Sequence, residues 1–285
     1  MAQSGITAFV LAGGGSLGAV QVGMLKALVA HGVQADMVVG SSVGAINGAY
    51  FAGRPTVEGI AALDQLWRGL RRNDIFPLQW RTLARFIWRR DFLVSTSGLL
   101  NLIDQNVPYR NLEEARLPIH IVTTNFLTGA TVVLSSGPAS QAILASCAIP
   151  VAFSPVAVGS RHLADGGIAS NTPIRTAIEN GANRLIIMPT GYACALQKPP
   201  AGAIASALHG LTLLIAGQLT KELKTIEADV TFHVVPSLCP VTVSAYDFSQ
   251  TGTLIDRAET QTREWLEAGG LDRQVIPAAL LPHDH

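Results

Sequence analysis

Two glycine-rich turns, each between a short apolar run and a helix-period segment, restrict the fold more than any other feature of this chain. Residues 6–12, ITAFVLA, form a β-leaning run that leads directly into GGGSLG and then into Val20, Met24 and Leu28 at i, i+4 and i+8. Gly32 stands where a helix carboxyl-terminal cap belongs. MVVG at 37–40 reads as a second buried strand, and SSVGAINGAYFAG as a small-residue helix closed by Gly53 and Pro55. Strand–helix–strand–helix with such short connections calls for a parallel sheet with helices on its faces. Residues 57–116 lean helical. Hairpins follow over 119–124 with 130–136 and around Gly159-Ser160, with a helix over 138–147 between them. Helix 173–180, strand 184–188, helix 203–227, strand 229–235 and helix 252–268 complete the pattern. The expected fold is a three-layer α/β/α domain over 1–285, with a mostly parallel central sheet and 57–116 as a helical cap within it.

The first turn, Gly13-Gly14-Gly15-Ser16-Leu17-Gly18, matches G-x-G-x-x-G, so a dinucleotide site is one reading. That site needs an acid ending the second strand to hold the ribose, whereas Asp36 precedes MVVG. A Walker P-loop is excluded, because no Gly-Lys-Ser/Thr is present. A second reading uses the same geometry: a helix amino terminus with bare backbone offers N–H donors to a developing oxyanion. A third is a tight turn that binds nothing. The motif alone leaves all three open.

The second turn narrows the choice. Gly40-Ser41-Ser42-Val43-Gly44 is G-x-S-x-G between a strand and a helix, the context of a nucleophile elbow. Ser42 is its central residue. In so sharp a turn the residues two before and two after approach closely, which demands Gly40 and Gly44. The helix that follows turns its positive end toward the hydroxyl.

A serine nucleophile needs a proton acceptor. An α/β-hydrolase triad would supply a late histidine, but His120, His162, His209, His233, His283 and His285 carry no motif around them. Asp165-Gly166-Gly167 follows a short strand, on a turn where the carboxylate can reach a neighbouring loop. An Asp-Gly turn by itself is ordinary. Beside the elbow, Asp165 becomes the leading base.

GGGSLG, GSSVG, ASCAIP at 145–150 and DGGIASNTP from Asp165, with Asn171 and Pro173, occur in that order, and DFSQTGTLIDRA follows near the carboxyl end. Together they resemble the patatin-like phospholipase family, in its bacterial and neuropathy-target-esterase-like branch. The resemblance implies a Ser42–Asp165 dyad without histidine, hydrolysing acyl esters of phospholipids or lysophospholipids, with the Gly13–Gly18 loop holding the oxyanion. It implies no cofactor and no metal. One departure is Leu17, where many members carry Arg or Lys. The rival reading is a catalytically weak lipid-binding or regulatory protein on the same fold, which intact Ser42 and Asp165 oppose.

Composition bears on partners. Twenty Lys+Arg balance twenty Asp+Glu, 48% of residues are hydrophobic and 14% charged, which excludes a disordered chain and opposes nucleic-acid binding. Cys147, Cys194 and Cys239 are widely spaced with no CxxC, and read as reduced thiols. The amino terminus lacks a signal-peptide pattern, and the uncharged stretch 199–220 is too rich in Gly, Pro and Ala to read as a span. A cytoplasmic location is expected, with peripheral membrane contact. Residues 67–92 hold Trp67, Trp80 and Trp88 with seven arginines. Lipid contact at headgroup depth and a solvated cap with inward rings are equally weighted readings of that segment. The sequence leaves oligomeric state open.

Overall fold

The structure is a computed structural model that describes residues 5–75, 95–150, 152–192, 194–195, 198–277 and 280. Eight strands form one sheet: β1 (Thr7–Leu11), β2 (Met37–Ser41), β3 (Ile119–Asn125), β4 (Thr131–Leu134), β5 (Val156–Val158), β6 (Arg161–Asp165), β7 (Arg184–Met188) and β8 (Thr231–Val234). The hydrogen-bonded order is β5-β6-β3-β2-β1-β7-β8, with β4 also paired to β3. The β8-β7-β1-β2-β3 portion is parallel, and β4, β5 and β6 add antiparallel pairs at one side. This is the mostly parallel three-layer architecture expected from the sequence.

Helices α1 (Gly18–Ala30), α2 (Val43–Gly53), α3 (Val57–Gly69), α4 (Arg72–Ile75), α5 (Ser97–Asn106), α6 (Ala139–Ser146), α7 (Ile174–Glu179), α8 (Ala203–Leu223) and α9 (Thr251–Glu267) cover it. Strand periodicity divides the core in two. Phe9, Leu11, Val38, Ile121 and Ile186 pack with α1, α2, α3, α6 and α9. Ala8, Val10, Val39, Val122 and Ile187 pack with α7 and the end of α8. Burial on both faces is why the parallel strands read as unbroken apolar runs.

The helix expected over 203–227 stops at Leu223, where the Thr225 hydroxyl donates to the Glu222 carbonyl at 2.8 Å. Of the segment 67–92, residues 76–92 lie outside the described residues, as do His283 and His285. No helix among the described residues is long and apolar enough to cross a membrane. Among the described residues no disulfide joins the cysteines, and the Cys194 and Cys239 sulfurs lie 3.7 Å apart although 45 residues separate them.

Candidate active site

Strand register brings the two motif residues together. Ile121 pairs with Gly40 of β2 and with Leu134 of β4, so these two strands occupy opposite edges of β3. Thr123 pairs with Val132 of β4 and with Asp165 of β6, so β6 shares the β2 edge. Ser41 lies opposite Val122 and Asp165 opposite Thr123, one position further on. Two strands running toward each other along one edge therefore deliver Ser42 and Asp165 to the same point, and Ser42 Oγ donates to Asp165 Oδ2 at 2.7 Å.

Ser42 sits at φ +53° and ψ −125°, the single non-glycine residue with positive φ among the described residues. Such a conformation costs on the order of 1–3 kcal/mol and must be held by its surroundings. Here the Ser42 N–H donates to Ser146 Oγ at 2.9 Å, and that hydroxyl donates to the Val122 carbonyl at 2.6 Å. A side chain at Gly40 would collide with the Gly44 carbonyl, and one at Gly44 with the Leu11 carbonyl. The close approach expected from the motif is thus present at both glycines. Ser41 Oγ points elsewhere: it is enclosed, with no hydrogen-bond partner.

Asp165 is buried, and burial lifts its carboxyl from 3.8 to about 6. Hydrogen bonds from the Ser42 hydroxyl and the Gly167 N–H, the latter at 2.8 Å to Oδ1, oppose that rise. Its main chain is clamped by the Ala148 carbonyl, which accepts from Asp165 N–H at 3.0 Å, and by the Thr124 hydroxyl, which donates to the Asp165 carbonyl at 2.8 Å. Among the described residues no histidine bonds either member of the pair. His120 bonds Ser135 Oγ, and His233 faces the Arg273 carbonyl.

In the glycine loop, Gly15–Leu17 form a 3-10 turn and Gly15 has φ +59°. The N–H groups of Gly13, Ser16 and Leu17 donate to the carbonyls of Asn171, Ala245 and Gly14, and Gly18 N–H to those of Gly15 and Ser16. Among the described residues, the Gly14 and Gly15 N–H groups have no partner. Behind the loop, the Gly13 carbonyl accepts from Thr190 Oγ1 at 2.7 Å and from Asn171 Nδ2 at 3.4 Å. Leu17 is fully buried in the apolar core. Ser146 lies inside a quoted motif without a role having been read from it. Thr190 and Ala245 carry no local signal, because only tertiary folding brings them to the loop.

An apolar cleft begins at Ser42 and Gly15 and is walled by Val43, Ile46, Leu99 and Phe153, among others. Trp67 and Phe248 also line it, their rings stacked 6.3 Å apart. Trp67 matches the second of the two readings of its segment, a ring packed inward. It is 3% exposed and donates from Nε1 to Asn47 Oδ1 at 2.9 Å. Asn47 Nδ2 in turn donates to Gln21 Oε1, and Gln21 Nε2 to the Ala12 and Met188 carbonyls, so a buried polar chain ties α3 to the root of the glycine loop. Arg68 is likewise engaged within the protein, by Asp64 and Asp256. Cys147 lines the cleft too, and burial, with the Asp165 charge adding to it, pushes its thiol well up and away from thiolate chemistry. No cluster of three or more His, Cys, Asp or Glu suited to a metal occurs among the described residues.

Known proteins are similar to this chain. The rat protein "Patatin-like phospholipase domain-containing protein 7" is 28% identical over 186 residues, covering 65% of this chain and 13% of its own length. An uncharacterized NTE family protein of Mycobacterium tuberculosis is 32% identical over 174 residues, covering 59% of this chain and 44% of its own. "Lysophospholipase NTE1" of Cryptococcus neoformans is 27% identical over 184 residues, covering 64% of this chain and 11% of its own. The chain thus spans less than half the length of each of these relatives. The crystal structure of VipD from Legionella pneumophila shares the fold, with a TM-score of 0.50 at 16% identity over 93% of this chain and 67% of that one. The pattern of the patatin-like phospholipases matches residues 9–178, more than half of the sequence. The chain belongs to the patatin-like phospholipase family.

Proposed function

We propose that the chain is a serine acyl-ester hydrolase acting on phospholipids or lysophospholipids. The observation that carries this reading is the 2.7 Å hydrogen bond from Ser42 Oγ to Asp165 Oδ2, made by a serine held at positive φ. Asp165 takes the hydroxyl proton as Ser42 Oγ attacks the ester carbonyl. The tetrahedral oxyanion meets the Gly14 and Gly15 N–H groups, to which the donor set of the Gly13–Gly18 loop narrows, because its other amides are engaged. Protonated Asp165 returns the proton to the leaving oxygen as the C–O bond breaks, which leaves the acyl group on Ser42. Asp165 then deprotonates a water that attacks the acyl-enzyme. The leaving acid is released, and Ser42 regains its proton. A carboxyl near 6 is better suited to this exchange at neutral pH than an ordinary aspartate. The apolar cleft beside Ser42 fits an acyl chain, and the names of the lysophospholipase and phospholipase relatives support a lipid ester as substrate.

The test is turnover of a short-chain nitrophenyl ester and of a lysophospholipid, together with labelling by an organophosphonate. The unmodified chain is expected to hydrolyse both and to be labelled at Ser42. Ser42→Ala is expected to lose both activities by at least a factor of about 10³. Labelling that persists in Ser42→Ala, or that maps to Ser41, overturns the assignment. An inactive unmodified chain favours the lipid-binding alternative.

A further inference from the structure

The β3–β4 turn presents apolar side chains to water at the end of the sheet that carries Ser42. Phe126 is 50% exposed and Leu127 is 79% exposed. Their position follows from register. β3 passes Ser41 at Val122 and Asp165 at Thr123, ends at Asn125, and turns at once. The tip therefore lies only a few residues beyond the dyad, on the same side of the sheet.

The turn is firmly built. Asn125 Oδ1 accepts from the Leu127 N–H at 3.1 Å, and the Asn125 carbonyl accepts from the Thr128 and Gly129 N–H groups at 3.3 and 2.8 Å. Asn125 N–H donates to the Ala130 carbonyl at 2.8 Å, and Gly129 adopts φ +75°. Phe126 N–H donates to the His162 carbonyl at 2.8 Å, which fixes the tip to β6. The backbone of the turn is thus held by its own bonds, with the Phe126 and Leu127 side chains exposed on it.

The chemistry around the tip is one-sided. His162 and Arg161, both exposed, are the β6 residues next to Phe126 and the start of the turn. Neither 123–134 nor 155–163 contains Asp or Glu. Large apolar side chains beside a cation and without an acid match the boundary between acyl chains and anionic headgroups.

We propose that the Phe126-Leu127 tip, with Arg161, is the docking point of this protein on an anionic lipid surface. The inference builds on the lipid-hydrolase reading, but its test does not need turnover. The chain is floated with vesicles of phosphatidylcholine alone, and with vesicles about one third phosphatidylglycerol. The unmodified chain is expected to float with the anionic vesicles. Phe126→Ser with Leu127→Ser is expected to weaken that binding by about tenfold or more, from the lost apolar burial. Arg161→Gln is expected to weaken it about fivefold at low salt and to flatten its salt dependence. Hydrolysis of the soluble nitrophenyl ester is expected to stay unchanged in both variants, which also shows that they are folded. The proposal is overturned if the unmodified chain floats with neither vesicle, the outcome expected of a protein-docking tip, or if the double variant floats as well as the unmodified chain. Vesicle binding without any ester turnover would sink the hydrolase reading and leave the docking tip standing.

Discussion

At the scale of single residues, the dyad stores a penalty that can be read from pH. Burial raises the Asp165 carboxyl from 3.8 to about 6, so the folded chain holds a proton there that the unfolded chain has already released. Its contribution to stability is complete below about 3.8 and is lost as pH rises through about 6. The loss approaches about 3 kcal/mol, since each tenfold change in proton affinity corresponds to about 1.4 kcal/mol. Asp165→Asn cannot ionise. Urea denaturation at a series of pH values should therefore show the variant gaining on the unmodified chain between pH 4 and 6.5 and holding the gain above. Parallel curves would mean that Asp165 is not so buried. Over the same window kcat/KM should climb to a plateau with an apparent pKa near 6, while the variant loses most activity. Ser42 and Asp165 were legible as motifs, each tied to a local turn. Their pairing was expected from the motif order and the family resemblance, but not the means of it: 123 residues separate them, and the register of β3 sets Val122 and Thr123 against Ser41 and Asp165. Ser146 was hidden for a similar reason: its hydroxyl bridges Ser42 N–H and the Val122 carbonyl across three elements.

At the scale of elements, the strands and helices were legible wherever an apolar period was uninterrupted. β7 falls on the expected residues, and β1 and β2 within one residue of them. The segment around Trp67 was harder because its composition and its pattern point in different directions. Arg and Trp together suggest an interface, yet Ile60, Leu63 and Trp67 at i, i+3 and i+7 form an inward helix stripe, and the stripe prevails. The glycine loop shows a tertiary constraint acting on a local motif. At Gly15 a Cβ would strike the Ala245 carbonyl, which also accepts the Ser16 N–H at 2.7 Å, and φ is +59°. From the sequence alone, Gly15→Ala is a pure test of oxyanion donors. With Ala245 in place, it must also strain the fold. The expected result is a kcat lower by about 10²–10³, as for loss of one oxyanion donor, with a Tm lower by several degrees from about 1–2 kcal/mol of backbone strain. Tm by calorimetry beside kcat on the soluble ester measures both. A fully active Gly15→Ala would remove this loop from the chemistry, and an unchanged Tm would remove the Ala245 contact from the account.

At the scale of the whole molecule, the family pattern and the folding unit do not coincide. The pattern ends at residue 178, which is before β7. Yet β7 lies beside β1 in the interior of the sheet, paired from Thr7 with Arg184 to Leu11 with Met188, and β8 lies beyond it. Leu185, Ile186, Ile187 and Met188 are fully buried, two facing each core. The later chain also sets the glycine loop: Ala12 N–H donates to the Met188 carbonyl, Thr190 Oγ1 to the Gly13 carbonyl, and Ser16 N–H to the Ala245 carbonyl. α9 packs against α1 so closely that a Cβ on Gly23 would meet the Ile255 carbonyl, and Lys26 of α1 bridges Asp64 of α3 and Glu259 of α9. Each buried β7 side chain is worth about 1.5–3 kcal/mol, so losing the four forfeits about 6–12 kcal/mol, comparable with the whole net stability of a domain. It would also leave β1 as a bare apolar edge, open to pairing with other chains. A chain ended after residue 180 keeps every motif of the dyad and the glycine loop. It is nevertheless expected to aggregate or collapse without a cooperative urea transition, and to hydrolyse no soluble ester. Circular dichroism through a urea series decides the matter: a sharp two-state transition in the shortened chain would show that residues 9–178 suffice to fold, and that β7, β8 and α9 are additions to a core already complete.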